Sequence, residues 1–213
     1  MASRIMHQAI AKNVLQSFPD INPVHFQLGN LAPDLTKYQE RSYENSHFAM
    51  EFEGTKGINY NLFHKKYSSE ISTSTFMLGY LVHLVSDALW LKTVQQNHVR
   101  KYPKIKKELY KKGYDDMKMY NPILIRDYHL EMFKPVQVSC KLEEVDSQDF
   151  ETLLYQLNKD FQAKYSGENF EVYPYESVKT YIELATNKSI EAILKVKNKV
   201  DLDDSRNFYV PLK

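Results

Sequence analysis

Apolar residues fill most of the helical circumference between Phe76 and Trp90, yet Gly79, His83, Ser86 and Asp87 fall on one stripe of it. The pattern predicts a buried helix from about Thr75 to Gln96, with Ser72, Thr73 and Ser74 available as N-caps. An earlier helix is expected from the N-cap Ser3 through Gln16, with His7, Ile10 and Val14 on roughly one inward face. Between Phe18 and Ser46 the pattern breaks up around Pro19, Pro23, Gly29-Asn30 and Pro33, which reads as a long irregular connection with one short helix near Asp34. A short helix around Asn59 to Tyr67 follows. Beyond the apolar segment, Val99 to Tyr114 reads as a solvated Lys/Tyr-rich helix ended by Gly113, and Asp115 to Met132 carries dilute mixed charge. After Pro135, the β-prone Val136-Gln137-Val138 reads as a linker. Asp146 or Ser147 then caps a helix that turns Phe150, Leu153, Leu154, Leu157 and Phe161 to the core. The last helix is expected from about Tyr175 to Lys199, with Val178, Ile182, Ala185, Ile193, Leu194 and Val196 as its apolar positions. Residues 1–200 thus read as a single all-α, multi-helical domain, followed by a loosely held polar tail over 201–213.

Composition narrows the function classes. A chain of 213 residues can bury a substantial core, and 16 Tyr and 11 Phe against 6 Gly and 8 Pro suit a tightly packed helical protein. Lys and Arg total 28 against 27 Asp and Glu, so no overall field draws polyanions, and no stable nucleic-acid complex is expected. The segment Phe76 to Leu91 is shorter than the ~20 residues that cross a bilayer and is interrupted by His83 and Asp87, so no transmembrane segment is expected. The opening residues contain one Arg but no apolar stretch of secretory-signal layout, which reads as a cytoplasmic protein. The single cysteine, Cys140, excludes an intrachain disulfide framework and a Cys-rich zinc module, and is read as a small apolar filler. Nothing in the pattern sets an oligomeric state.

The polar stripe on the apolar helix raises a question of chemistry. Burying an ionised carboxylate is costly unless it is paired, hydrogen-bonded or bound to a cation, so Asp87 needs a partner. Residues at i and i+4 have Cβ atoms ~5–6 Å apart, which lets His83 and Asp87 close on one metal ion. The alternative is a buried His–Asp hydrogen bond that locks two helices. His7, Asp34 and His47 each have a structural explanation too, as a core histidine, a turn or cap residue and a loop histidine. Their co-occurrence with the helical pair favours the metal. His25, His64 and His98 read as structural or exposed.

Four blocks carry a resemblance: Ser3-Arg-Ile-Met-His7, Leu28-Gly-Asn-Leu-Ala-Pro-Asp34, Ser46-His-Phe48 and Leu78 to Trp90. In order and content, over roughly the first ninety residues, they resemble the zinc-dependent phospholipase C proteins of bacteria, whose fold is shared with a group of single-strand nucleases. The resemblance implies a helical domain holding one to three Zn2+ ions. It makes Asp34, His47, His83 and Asp87 the ligands of one ion, with His7 and a shared Asp87 belonging to a neighbouring ion. Two departures accompany it. Secreted members ligate zinc with the amine of an N-terminal Trp, absent here; with Met1 removed, the amine of Ala2 is the available substitute. The family's remaining ion takes a His soon after the helical Asp and a later His-x3-acid pair. Here the sixth position after Asp87 is Thr93, and His129 is followed at the fourth place by Phe133, leaving Asp127 and His129, ahead of His98, as substitute ligands.

The chemistry so implied is attack on a phosphodiester by a water whose pKa zinc lowers toward ~7, with Asp34 as the residue that orients it. The partner is then a small phosphodiester or a phospholipid headgroup. Three readings stand: a phospholipase-C-like hydrolase of phosphoric esters, a nuclease or other phosphoesterase on the same scaffold, and a catalytically degenerate protein that keeps a metal or a His–Asp network for structure. An HD-type phosphohydrolase is disfavoured, because no His-Asp dipeptide occurs in the chain.

Overall fold

The computed structural model describes residues 1–38, 42–132, 134, 142–146, 149–162 and 169–212. Pro135, the Val136 to Val138 stretch, Cys140 and Ser147 lie outside the described residues. The protein is all-α apart from a small three-stranded sheet. Helix α1 (Arg4–Gln16) starts where expected, with the Ser3 hydroxyl accepting from the Met6 N–H at 3.2 Å. The region expected to be irregular contains a second helix, α2 (Pro23–Leu31), which runs into a 3-10 turn over Ala32–Tyr38. Its prolines and glycine do not break it. Asn22 caps it through the His25 N–H, Pro23 occupies the first turn, where a missing N–H costs nothing, and Gly29 is a packing contact.

After α3 (Tyr43–Ser46), strands β1 (Ala49–Phe52) and β2 (Thr55–Ile58) form an antiparallel hairpin. Its two turn residues, Glu53 and Gly54, both have positive φ, the requirement of a two-residue hairpin turn. Helices α4 (Tyr60–Lys66) and α5 (Ser68–Ile71) lead to α6 (Thr75–Leu89), capped by Ser74 through the Met77 N–H. The helix continues as a π-helical stretch over Trp90–Arg100. From Met77 to Leu89 every residue of α6 is buried, because α1, α2, α4 and α9 (Tyr175–Lys197) surround it. None of the described helices is long and apolar enough to cross a membrane.

Helix α6 meets α2 backbone to backbone. A Cβ on Gly79 would lie 2.0 Å from the Phe26 carbonyl oxygen, and one on Gly29 would lie 1.9 Å from that of Phe76. These reciprocal glycines bring the main chain of α2 against the polar stripe of α6. Gly79→Ala must push the helices apart, and a loss of about 2–3 kcal/mol is expected in urea unfolding.

Helix α7 (Lys106–Asp127) passes through Gly113 instead of ending there, since a Cβ at Gly113 would strike the Tyr173 ring at 2.5 Å. Asp116, buried on α7, accepts the main-chain N–H groups of Glu171, Val172 and Tyr173, which fixes the approach to α9. Helix α8 (Phe150–Gln162) buries Phe150, Leu153, Leu154 and Leu157 as expected.

The tail is held, in contrast to expectation. Val210 and Pro211 pair with β2 as β3, and Asp203 takes ion pairs from Lys188 at 2.9 Å and Lys195 at 2.5 Å. Those lysines hold the Asp203 carboxyl below its ordinary range. A carboxylate lowered on folding contributes its full stabilisation above its unfolded value near 3.8 and loses it progressively as pH falls from there through its lower folded value. Acid below about pH 4 is therefore expected to speed amide exchange at Val210 before the core opens, with Asp203→Asn doing the same at pH 7 at a cost below about 1 kcal/mol.

Candidate metal centre

Three helices and the 3-10 turn converge on one buried point. His7 comes from α1, Asp34 from the turn after α2, His47 from the C-cap of α3, and His83 and Asp87 from α6. All five are at most 2% exposed. Their donor atoms fall into two groups that share His83: His7, His83 and Asp87, and Asp34, His47 and His83, each group within 4.8 Å.

The hydrogen bonds at the outer ring nitrogens fix which nitrogen faces the centre. His83 Nδ1 lies 2.7 Å from the Asn30 carbonyl oxygen, which can only accept, so Nδ1 carries the proton. His47 Nδ1 reaches the Tyr43 carbonyl at 3.2 Å and the Ser46 hydroxyl at 2.9 Å, with the same result. The Ser86 hydroxyl donates to the His83 carbonyl at 2.8 Å, so at 3.1 Å it accepts from His7 Nδ1. Every histidine thus turns an unprotonated Nε2 inward. Nε2 of His47 and of His83 stand 3.2 Å apart, two lone pairs facing each other.

The carboxylates add negative charge to the same place. Asp87 Oδ1 is 3.4 Å from His7 Nε2, and its Oδ2 is 3.6 Å from Nε2 of both His47 and His83. Asp34 Oδ1 is 3.9 Å from His47 Nε2. His7 Nε2 and Asp87 Oδ2 have no hydrogen-bond partner. Burial alone would raise the Asp87 carboxyl, but the neighbouring imidazoles of His7 and His83 and the nearby N-terminal charge outweigh it and hold the carboxyl well below the usual range. Burial, reinforced by His83, pushes His47 down to about 3 and also lowers His7, so protons are a poor filling for this centre. A cation satisfies what protons do not, and imidazole nitrogens with carboxylate oxygens are a zinc donor set.

Around the donors, Asn30 is buried between α1 and α6. In the amide orientation that satisfies both its ends, it donates to the His7 carbonyl at 2.9 Å and accepts from the His83 N–H at 3.2 Å. The Tyr43 ring stacks on His47 at 4.0 Å. Tyr43 is a residue that sequence reasoning misses, its one signal being its place one helical turn before His47. The Ala2 N–H donates to Asp87 Oδ1 at 3.0 Å, so the amine that loss of Met1 would expose lies beside the cluster.

The remaining candidates lie elsewhere. Asp127 and His129 belong to neither donor group. Asp127, at the end of α7, pairs with Arg126 at 2.8 Å and accepts from the Tyr175 hydroxyl at 2.6 Å. His129 follows in a left-handed backbone conformation, φ 50°, with its carbonyl taken by Lys12. Thr93 turns its hydroxyl to the Leu89 carbonyl at 2.7 Å, and His98 lies edge-on to Tyr173. His25 is exposed and His64 half-buried.

Comparison with known proteins gives one match. The family model described as zinc dependent phospholipase C covers residues 6–168. No curated protein and no solved structure matches the chain.

Proposed function

The chain belongs to the zinc-dependent phospholipase C family, and we propose that it is a metal-dependent hydrolase of phosphoric esters whose metal is held by His7, Asp34, His47, His83 and Asp87. The observation that carries this reading is the convergence of three inward-facing, unprotonated Nε2 atoms and two carboxylates on one buried point. Two donor groups sharing His83 support one or two ions. Zinc bound there supplies Lewis acidity, lowering the pKa of water toward ~7 and offsetting charge on a phosphoryl oxygen.

The chain's own residues do the rest. The carbonyls of Asn30 and Tyr43 and the Ser86 hydroxyl lock the three imidazoles in the ligating tautomer, which raises their basicity and spares reorganisation on metal binding. Asp87 faces all three inward nitrogens, its Oδ1 toward His7 and its Oδ2 toward His47 and His83. Asp34, beside His47 at the other side, is the carboxylate that orients the attacking water and takes its proton.

One observation favours a second reading, a metal kept for structure: all five donors are sealed from solvent, with Tyr43 packed over His47. Metal analysis of protein purified without chelator, followed by assay, separates the readings. Bound zinc is expected, and at a thousandfold excess over Kd it contributes about 4 kcal/mol, so chelation lowers the thermal midpoint by about 10 °C. Hydrolysis of a chromogenic phosphodiester or short-chain phosphatidylcholine that stops on chelation supports the enzyme. Hydrolysis of single-stranded DNA alone points to the nuclease, zinc without hydrolysis to the structural role, and absence of metal sinks both metal readings.

A further inference from the structure

A cavity of about 360 Å³ abuts the metal cluster. Tyr43, stacked on His47, and Met1, next to the Ala2 N–H that reaches Asp87, form part of its wall. Another part is Arg100, the last residue of the π-helical stretch. Arg100 is only 3% exposed. Its Nη2 donates to the Pro211 carbonyl, while its buried Nε has no hydrogen-bond partner. Among the described residues no carboxylate lies within 4.0 Å of it; Glu44 and Glu51 line the cavity too, but are exposed and make no ion pair with it.

A guanidinium stays charged at any physiological pH, and a buried charge facing no counter-ion is costly. The cheapest remedy is an anion entering from the cavity on which Arg100 opens. A second cation, Lys56, lines the same cavity. A planar guanidinium is suited to grip a phosphate or carboxylate.

We propose that Arg100 binds a second anionic group of the substrate, a phosphate or carboxylate carried on a substituent of the phosphodiester, in the cavity beside the metal cluster. The proposal rests on the phosphoric ester reading given above. It names the substrate class more narrowly: esters with an anionic headgroup, in preference to neutral ones of the same size.

Two arms test it. The first titrates inorganic phosphate into the full chain in the presence of chelator, where no metal can bind the probe. Saturable binding is expected, weakened about tenfold or more in Arg100→Met and less in Arg100→Lys. No binding to the wild type, or equal binding to Arg100→Met, overturns the proposal. The second arm compares the metal-loaded protein on p-nitrophenyl 2-carboxyethyl phosphate and p-nitrophenyl propyl phosphate. A lower KM for the carboxylate ester is expected, with the preference lost in Arg100→Met; equal KM values in the wild type overturn it. If Arg100→Met does not fold, because Arg100 also anchors Pro211, the cavity variant Lys56→Gln stands in. It is expected to weaken phosphate binding a few-fold, and unchanged binding counts against the site. Failure to hydrolyse either ester removes the phosphoric ester reading, whereas the phosphate titration still decides for or against Arg100.

Discussion

Asp87→Ala is expected to leave the protein without tightly bound zinc and to reduce hydrolysis to background. Asp87 carries the carboxylate that faces all three imidazoles. Its Oδ1 faces His7 and accepts from Ala2, while its Oδ2 faces both His47 and His83. Removing it takes away the anion that faces all three imidazoles and leaves three lone pairs converging on a hollow. Since structural zinc sites bind with about 10–16 kcal/mol spread over some four ligands, loss of one central ligand costs at least about a hundredfold in affinity. A competition titration against a zinc-chelating dye measures this. Zinc affinity within a few-fold of wild type would contradict the assigned centre. Asp127→Ala is the control, expected to bind zinc as the wild type does, because its carboxylate is already engaged by Arg126 and Tyr175.

Asp34→Asn is expected to separate binding from chemistry. The amide keeps an oxygen near His47 but loses the charge and basicity needed to take a proton from water. Zinc affinity should fall modestly, about tenfold, while kcat falls by about 10²–10⁴, the usual span for a lost general base. A variant with unchanged kcat at saturating zinc would remove Asp34 from the chemistry and leave it as a ligand alone. Its position at the start of a 3-10 turn, fixed by the close packing of α2 on α6, holds the side chain in place in the variant, and the thermal midpoint checks this directly.

How much of this was legible beforehand depends on the kind of signal. Helix α6 was plain in the sequence, because a long apolar run with serine caps has few other solutions. Helix α2 was hidden. Proline and glycine are read locally as breakers, whereas here Pro23 sits in the first helical turn and Gly29 serves a contact with a helix 47 residues further along the chain, at Phe76. The same confusion placed a helix end at Gly113, whose missing side chain makes room for Tyr173. The tail looked loose because its binding partners, Lys188, Lys195 and strand β2, are remote in sequence or on another element.

The candidate site divides in the same way. His7, Asp34, His47, His83 and Asp87 could be named because side chains carry identity, and the fold brings those five together. What holds the histidines in their tautomers is largely main chain, the carbonyls of Asn30 and Tyr43, which leave no mark on the sequence. Asp127 and His129 were put forward to replace ligands missing from the family pattern. The end of α7 engages the Asp127 carboxylate with Arg126 and Tyr175, and His129 belongs to neither donor group.

Anomalous diffraction from a crystal of zinc-loaded protein, recorded on both sides of the zinc edge, tests the metal centre most directly. The account predicts a peak about 2.0–2.2 Å from Nε2 of His47 and His83 and from carboxylate oxygens of the cluster. An empty cluster with the only peak elsewhere, for instance beside Asp127 and His129, would contradict it.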